Sequence, residues 1–456
     1  MWERFAFYGM RALLILFMTA ERTNGGLGFD IAKAGVIYGV YTAMVYFMSV
    51  PGGWVADRIL GQRRAVMLGG ALIVAGQFSL GAHALPLFYT GLALLTLGTG
   101  LLKPSVSTMV GQLYEATDQR RDSGFSIFYM GINLGGFISP LVCGYIGQRV
   151  NWNLGFAMAG VGMIVGLAQF RLGYRHLAGA GLPPAALPDR LGRKALAAGV
   201  AAAAVAALLA GTVKSSQGLG NALGLLLAGV AAAVFGQLLS MREWSRAERG
   251  RIAATLVLFL AASLFYSASE QQGSTMNLFG DRNTDHHAFG REFPSSWFQS
   301  LSSLFVITLA PVFAWLWIRM GRRNPSSFMK FCVGLVLVGW GFLALGIPAS
   351  VAGPGARVGP EWVVLAFFVQ TCGELCLGPV GLSVMTKLAP ARVASLMMGL
   401  WFLSISVGNY VGGRVASLYG AYSPSTLFNS VAAVTIVGGL ALVLAARPLR
   451  RWVGEA

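Results

Sequence analysis

Charge is what this chain has least of. Only 11% of its 456 residues are Asp, Glu, Lys or Arg, and it holds just 17 acidic residues and 4 histidines. A soluble chain needs roughly 25% charged residues to cover its surface, so this one is not built for water. Its 55% hydrophobic content and mean hydropathy of +0.65 agree. Cysteine is scarce as well, and Cys143, Cys332, Cys372 and Cys376 all stand in apolar stretches, which excludes a disulfide framework. Cys372 and Cys376 are four apart on one helical face but lack the His or acidic neighbours that a metal needs. Long runs of alternating polarity are missing, which excludes a transmembrane β-barrel with its strands of about 10 residues. Neither a phosphate loop nor a nucleophile elbow occurs, and the G-x-G of Gly98 and Gly100 has no strand before it. No enzyme is expected.

What the sequence does have is apolar runs of about 20 residues, the length that crosses a bilayer core of about 30 Å. They predict about 14 helices, placed at Trp2–Ala20, Ala34–Val55, Ala65–Gly81, Leu85–Leu113, Asp122–Gln148, Asn153–Leu172, Ala195–Gly211, Leu219–Met241, Ile252–Leu278, Ser295–Arg319, Ser326–Ile347, Trp362–Leu388, Arg392–Tyr419 and Ser425–Ala446. The expected fold class is an all-α polytopic membrane protein. The net charge of +17 suggests nucleic acid until the basic residues are located. With the first helix starting inside, about 23 fall on cytoplasmic connections against about 7 outside, which is a topology signal. No nucleic-acid partner is expected, and both termini are expected in the cytoplasm. No cleavable signal peptide is expected, because the first helix carries charges and no small-residue cleavage site.

The segment Ala195–Met241 differs from the rest, being rich in Ala, Leu and Gly without buried charge. It is bracketed by the basic, Pro-rich Leu182–Lys194 and by Arg242–Arg251. Setting it aside leaves six helices on each side, which predicts an N-terminal bundle over 1–175, an inserted hairpin with linkers over 176–250, and a C-terminal bundle over 251–456. The turns after the second helix of each half support duplication: Gly61-Gln62-Arg63-Arg64 in the first, Gly321-Arg322-Arg323 in the second. Paired repeats are a transporter signature.

An ionisable group at the bilayer centre costs at least about 2.5 kcal/mol, so a chain that keeps several there is using them. Here they are Glu3, Arg4 and Arg11 on the first helix, Lys103, Glu270 and Glu374. Glu3, Phe7 and Arg11 are spaced by four, and Arg4, Tyr8 and Arg11 by four and three, so one stripe of the first helix is polar and aromatic together. Cations in the first half and carboxylates in the second suit a zwitterion. Tyr8, Tyr46, Tyr129, Tyr266, Trp297 and Trp401 offer faces to a varied middle.

The start Glu3-Arg4-Phe5-Ala6-Phe7-Tyr8-Gly9-Met10-Arg11 resembles the latter part of the E-x-x-E-R-F-x-Y-Y-G motif of proton-dependent oligopeptide transporters, a branch of the major facilitator superfamily. Gly53-Trp54-Val55-Ala56-Asp57-Arg58-Ile59-Leu60-Gly61 is similar to that family's first signature, and Phe128-Tyr129-Met130-Gly131-Ile132-Asn133-Leu134-Gly135 to its second. Leu102-Lys103-Pro104, Glu270-Gln271, Trp297-Phe298-Gln299-Ser300 and Gly373-Glu374 before Pro379 follow in the family's order.

The resemblance implies a major facilitator fold of two six-helix bundles and proton-coupled symport of di- and tripeptides into the cell by alternating access. It places the chain in the bacterial inner membrane among its lipids. Protons would be the coupling ion, with no other cofactor, and a monomer is expected. Arg11, Lys103 and Asn133 would hold the peptide carboxylate and Glu374 the amino terminus. Glu3, Arg4, Lys103 and Glu270 would carry the proton coupling, and Lys103 and Glu374 would pair as a gate. Tyr8, Tyr46, Tyr129, Tyr266, Trp297, Ser302 and Trp401 would line the pocket. The sequence departs from the pattern in four places. Phe7 stands where Tyr is usual, Tyr266 where Trp is common, Ser302 where an Asn is frequent, and Gly378 where Ser usually precedes Pro379. The motif's first Glu would fall one position before Met1. The alternative is a proton-coupled transporter of the same fold for nitrate, an amino acid or a peptide-like drug; nitrate has no amino group for Glu374 to hold.

Overall fold

The computed structural model describes residues 1–456 except 83, 115–117, 119, 178, 183–214, 242–243, 289, 354, 389–393 and 454–456, and except the side chains at 121–122, 288, 379, 382–383, 386–387, 394–395 and 446–453. The chain is an integral membrane protein. Eleven helical spans among the described residues are long and apolar enough to cross a bilayer. Two further helices join them: α1 (Trp2–Thr19), made more polar by Glu3, Arg4 and Arg11, and α4 (Gln62–Leu80), which opens on Gln62-Arg63-Arg64. The predicted helix Ala195–Gly211 and the basic linker residues Arg190, Arg193 and Lys194 lie outside the described residues.

Several predicted spans are broken where the sequence removes a backbone donor. The second consists of α2 (Ile31–Phe47) and α3 (Ser49–Val55), followed by a π turn over Ala56–Leu60. Pro51 cannot donate to the carbonyl of Phe47, so the ladder fails there. After α5 (Leu85–Gln112), the predicted Asp122–Gln148 is α6 (Arg120–Ser139), a π turn over Pro140–Gly144, and α7 (Tyr145–Arg149). Then come α8 (Trp152–Leu172), α9 (Ser216–Ser240), α10 (Arg246–Ser269) and α11 (Thr275–Arg282). The remaining helices are α12 (Gln299–Met320), α13 (Ser327–Ala352), α14 (Pro360–Leu388), α15 (Ala394–Ala416) and α16 (Pro424–Val453). Their starts carry the expected caps. Asn151 accepts from the Asn153 amide at 2.8 Å before α8, and Ser245 and Glu248 form a capping box before α10. The loop after α11 carries one small antiparallel pair, β1 (His287–Ala288) with β2 (Arg291–Glu292).

The helices divide into two compact units. The first comprises Met1–Gly28 and Met44–Gly220. Glycine lets its helices approach closely: a Cβ on Gly69 of α4 would come within 2.6 Å of the Gly98 carbonyl of α5. Gln77 of α4, fully buried, donates to the Ala6 carbonyl of α1 at 3.0 Å. At the far end of this unit the chain after α8 turns back as a strap. Arg63 donates through Nε to the Ala180 carbonyl at 2.7 Å and through its backbone N–H to the Gly181 carbonyl at 3.0 Å. The Gly181 N–H donates to Gln112 Oε1 at 2.7 Å, and Gly181 takes φ +75, a left-handed conformation suited to glycine.

The second unit comprises Phe29–Ala43 and Asn221–Ala456, so it owns the first part of α2. A Cβ on Gly39 would lie 2.6 Å from the Gly413 Cα of α15, and Ser406 Oγ donates to the Ala43 carbonyl at 2.8 Å. Phe279, Phe342 and Tyr419 gather around Phe428 to form an aromatic core. α9 rests on α10 through the edge-to-face pair Phe235–Phe259, with most of its surface left open.

Candidate functional site

In the first unit the predicted charges cluster along α1 and α5. Glu3 Oε2 accepts from Arg4 Nε at 2.9 Å, with side chains only 13% and 11% exposed. The other oxygen of Glu3, Oε1, is buried without a hydrogen-bond partner, an arrangement that leaves it open to a second donor. The Arg4 guanidinium also lies 5.7 Å from the Phe7 ring, and that of Arg11, which is buried, 5.9 Å from Tyr8. α6 reaches this stripe because Gly135 has no side chain; a Cβ there would sit 3.2 Å from that of Arg4. One half-turn earlier on α6, buried Asn133 donates to the Tyr129 carbonyl at 3.0 Å, while the Tyr129 ring is 44% exposed.

Lys103 precedes Pro104 inside α5. Its ammonium lies 3.7 Å from the centroid of the Tyr46 ring, within cation–π range. Gly52 of α3 abuts the Gly100 carbonyl, and a Cβ on Gly53 would touch Pro104 at 3.3 Å, so the glycines of the sequence signature bring α3 onto the Lys103 turn.

In the second unit Glu270 occupies a helix break. α10 ends at Ser269, a 3-10 turn covers Glu270–Gly273, and α11 resumes at Thr275. Side-chain amides replace the missing backbone bonds. Gln271 donates to the Ser267 carbonyl at 2.8 Å and accepts from Thr275 Oγ1 at 2.8 Å, bridging the break. Gln299 of α12 donates to the Gln272 carbonyl at 2.6 Å, and Gln272 Nε2 donates to Gln370 Oε1 of α14 at 3.2 Å. Gln370, fully buried, contacts Met276 Sδ at 3.2 Å and stands one turn before the half-buried Glu374. Tyr266, one turn before Glu270, meets Trp401 edge to face at 5.9 Å. Trp401 is itself buried over Gly381. Ser302 is half-buried on α12, and Trp297, just before it, is 37% exposed.

The structure therefore brings together Glu3 with Arg4, Arg11 with Tyr8, Lys103 with Tyr46, Asn133 with Tyr129, and Tyr266 with Trp401. Lys103 belongs to the first unit and Glu374 to the second. The amide network of Gln271, Gln272, Gln299 and Gln370 was not foreseen as a set. Gln271 and Gln299 stand in the quoted motifs, and Gln370, which does not, had a usable signal as an amide in an otherwise apolar run, four residues before Glu374. Replacing it by Leu strands the buried Gln272 amide, at a cost of about 1–3 kcal/mol. We expect a lower Tm for Gln370→Leu in detergent; an unchanged Tm would show that the network does not hold the break. Outside the spans, His286 Nε2 approaches the Gly280 carbonyl at 2.5 Å and His287 Nδ1 lies 2.8 Å from Asp285. The His287 hydrogen bond holds the Asp285 carboxyl below the usual carboxylate range. Both histidines are thus engaged locally. Among the described residues no group of three or more His, Cys, Asp or Glu could hold a metal ion.

The family model described as the POT family matches residues 63–432. A peptide transporter of Yersinia enterocolitica, YePEPT, is 40% identical over 99% of this chain and 93% of its own. A di-/tripeptide transporter of Lactococcus lactis subsp. lactis is 37% identical over 100% and 94%. The crystal structure of a peptide transporter POT in complex with sulfate superposes with a TM-score of 0.93 at 39% identity, over 99% of this chain and 93% of that one. Its fold is that of the major facilitators, and this chain shares it. Matched by the family model over most of its length and by these relatives over nearly all of it, the chain belongs to the POT family and is a transporter rather than an enzyme.

Proposed function

We propose that the protein carries di- and tripeptides into the cell together with protons, by alternating access. The observation that carries this reading is the charge arrangement in a POT-family chain: buried cations on α1 and a half-buried one on α5 in one unit, and carboxylates at a helix break and on α14 in the other. A free peptide presents a carboxylate at one end and an ammonium at the other. Arg11, Lys103 and Asn133 take the first, and Glu374 the second, through charge-assisted hydrogen bonds. Tyr8, Tyr46, Tyr129, Tyr266, Trp297, Ser302 and Trp401 border the side chains, whose variety asks for aromatic faces rather than fixed polar partners.

Protons enter through Glu3, Arg4, Lys103 and Glu270. Burial favours the neutral form of a carboxylic acid and a nearby cation favours the charged form, so a proton on Glu270 and a cation beside it exclude one another. Protonation releases that cation to the peptide, and it weakens contacts of the outward-open state, so the population shifts inward. Lys103 and Glu374 pair as the cytoplasmic gate. The membrane potential adds about 2.3 kcal/mol per charge per 100 mV to uptake. In this reading the protein is a monomer in the inner membrane with both termini cytoplasmic, and the division 1–175, 176–250 and 251–456 separates two bundles from an inserted hairpin.

Uptake of labelled dialanine into proteoliposomes tests the whole. We expect accumulation under an inward proton gradient, competed by unlabelled di- and tripeptides and lost with an uncoupler. Accumulation that an uncoupler leaves intact removes the proton from the scheme, and competition by nitrate or single amino acids alone removes the peptide.

A further inference from the structure

The two halves repeat a Gly-and-paired-Arg turn, but among the described residues a strap of the chain closes over the first copy alone. In the first half, Arg63 is satisfied by the strap through the Ala180 carbonyl, and its guanidinium lies 5.6 Å from the Tyr174 ring. In the second half, the turn between α12 and α13 carries Arg319, Arg322, Arg323 and Lys330, and among the described residues no segment hydrogen-bonds to these side chains. No Asp or Glu occurs anywhere from Phe293 to Pro360. Among the described residues no carboxylate and no backbone carbonyl accepts from these four side chains. Arg319, Arg322 and Arg323 are exposed.

Their arrangement is nevertheless ordered. Trp315 and Arg319 stand one turn apart with the guanidinium 5.1 Å from the ring, and Lys330 Nζ lies 4.2 Å from the ring of Trp317 across the turn. Gly321 takes φ +47, which folds Arg322 and Arg323 back sharply after the helix end. α12 is the least covered span, with 11% of its apolar window buried, and Trp315 is 56% exposed. A bare apolar helix capped by tryptophans and unpaired cations stands where acyl chains give way to headgroups.

We propose that this turn is a binding site for the headgroup of an anionic phospholipid. A phosphodiester offers two non-ester oxygens and one negative charge, which match the fork of a guanidinium. The tryptophan rings hold Arg319 and Lys330 in place beforehand, which lowers the ordering cost of binding. Continuous acyl chains then lie along the uncovered face of α12. Simple topology marking requires only positive charge at this turn, so lysine would serve it equally well. A guanidinium site would not accept that exchange.

The test uses full-length protein in detergent, incubated with equal amounts of phosphatidylglycerol and phosphatidylcholine of identical chains, and reads retained lipid by native mass spectrometry. The wild type is expected to retain phosphatidylglycerol preferentially. R319K/R322K/R323K keeps the charge and is expected to lose about tenfold in that retention, and the corresponding Arg→Gln triple to lose it entirely. W315A is expected to weaken it with all charges present. Equal retention of the two lipids by the wild type, or full retention by the lysine triple, overturns the proposal. Inorganic phosphate serves as the soluble control: displacement of the lipid by phosphate at matched concentration would reassign the site to free anions and overturn the lipid assignment.

Discussion

Glu270→Gln should lower gradient-driven peptide uptake by on the order of a hundredfold, as expected when a proton-carrying group is removed. Exchange of labelled for unlabelled peptide, which needs no net proton movement, should keep part of its rate. The substitution is close to isosteric at a position where the local fold is held by others. Gln271 ties the break to Ser267 and Thr275, and Gln272 ties it to Gln299 and Gln370. The helix break should therefore survive, and what is lost is the exchangeable proton. Uptake under a gradient and counterflow measured on the same vesicles separate the outcomes. If both fall equally, Glu270 supports structure or peptide binding rather than coupling.

Arg11→Ala should discriminate between peptides by their C-terminus. Arg11 is buried on α1, with its guanidinium beside Tyr8. Removing one partner of a desolvated charge pair costs about 2 kcal/mol or more, roughly thirtyfold in affinity. That penalty should fall on peptides with a free carboxylate, while C-terminally amidated analogues should lose little. The measurement is competition by each analogue against labelled dialanine in counterflow, for wild type and variant. An equal loss for acid and amide would mean that Arg11 holds α1 in place instead of holding the ligand.

Helix positions were legible because apolar length is a coarse and robust signal, and the intramembrane charges because each is costly enough to stand out. The breaks were legible in part. The polar residues Ser269–Ser274 mark the break that the predicted span Ile252–Leu278 runs through, whereas the interruption near Met48 depends on Pro51, hidden inside a long apolar run. The amide network was not legible, since a glutamine carries no charge and its partner is chosen by tertiary packing: Gln272 and Gln370 are 98 positions apart. The same holds for Gly39 and Gly413, where only the fold explains why two small residues were needed. The stripe Glu3, Arg4, Phe7, Tyr8 and Arg11 was readable from helical spacing alone. The orphaned Glu3 oxygen was not, because it depends on which groups other helices bring near.

The pairing of α2 with α15 has a consequence for biogenesis. The Ser406–Ala43 hydrogen bond joins residues 363 positions apart, so one is synthesised long before the other. At roughly 5–20 residues per second, the first part of α2 waits on the order of twenty to seventy seconds before its partner emerges. During that interval the glycine-lined face around Gly39 has no matching helix, and insertion machinery, lipid or another chain must shield it. The strap at Ala180 and Gly181, by contrast, closes on residues already synthesised, so the first half can be locked before the second exists. Maturation of this protein is therefore sequential in one unit and delayed in the other, where α15 completes a contact that α2 opened.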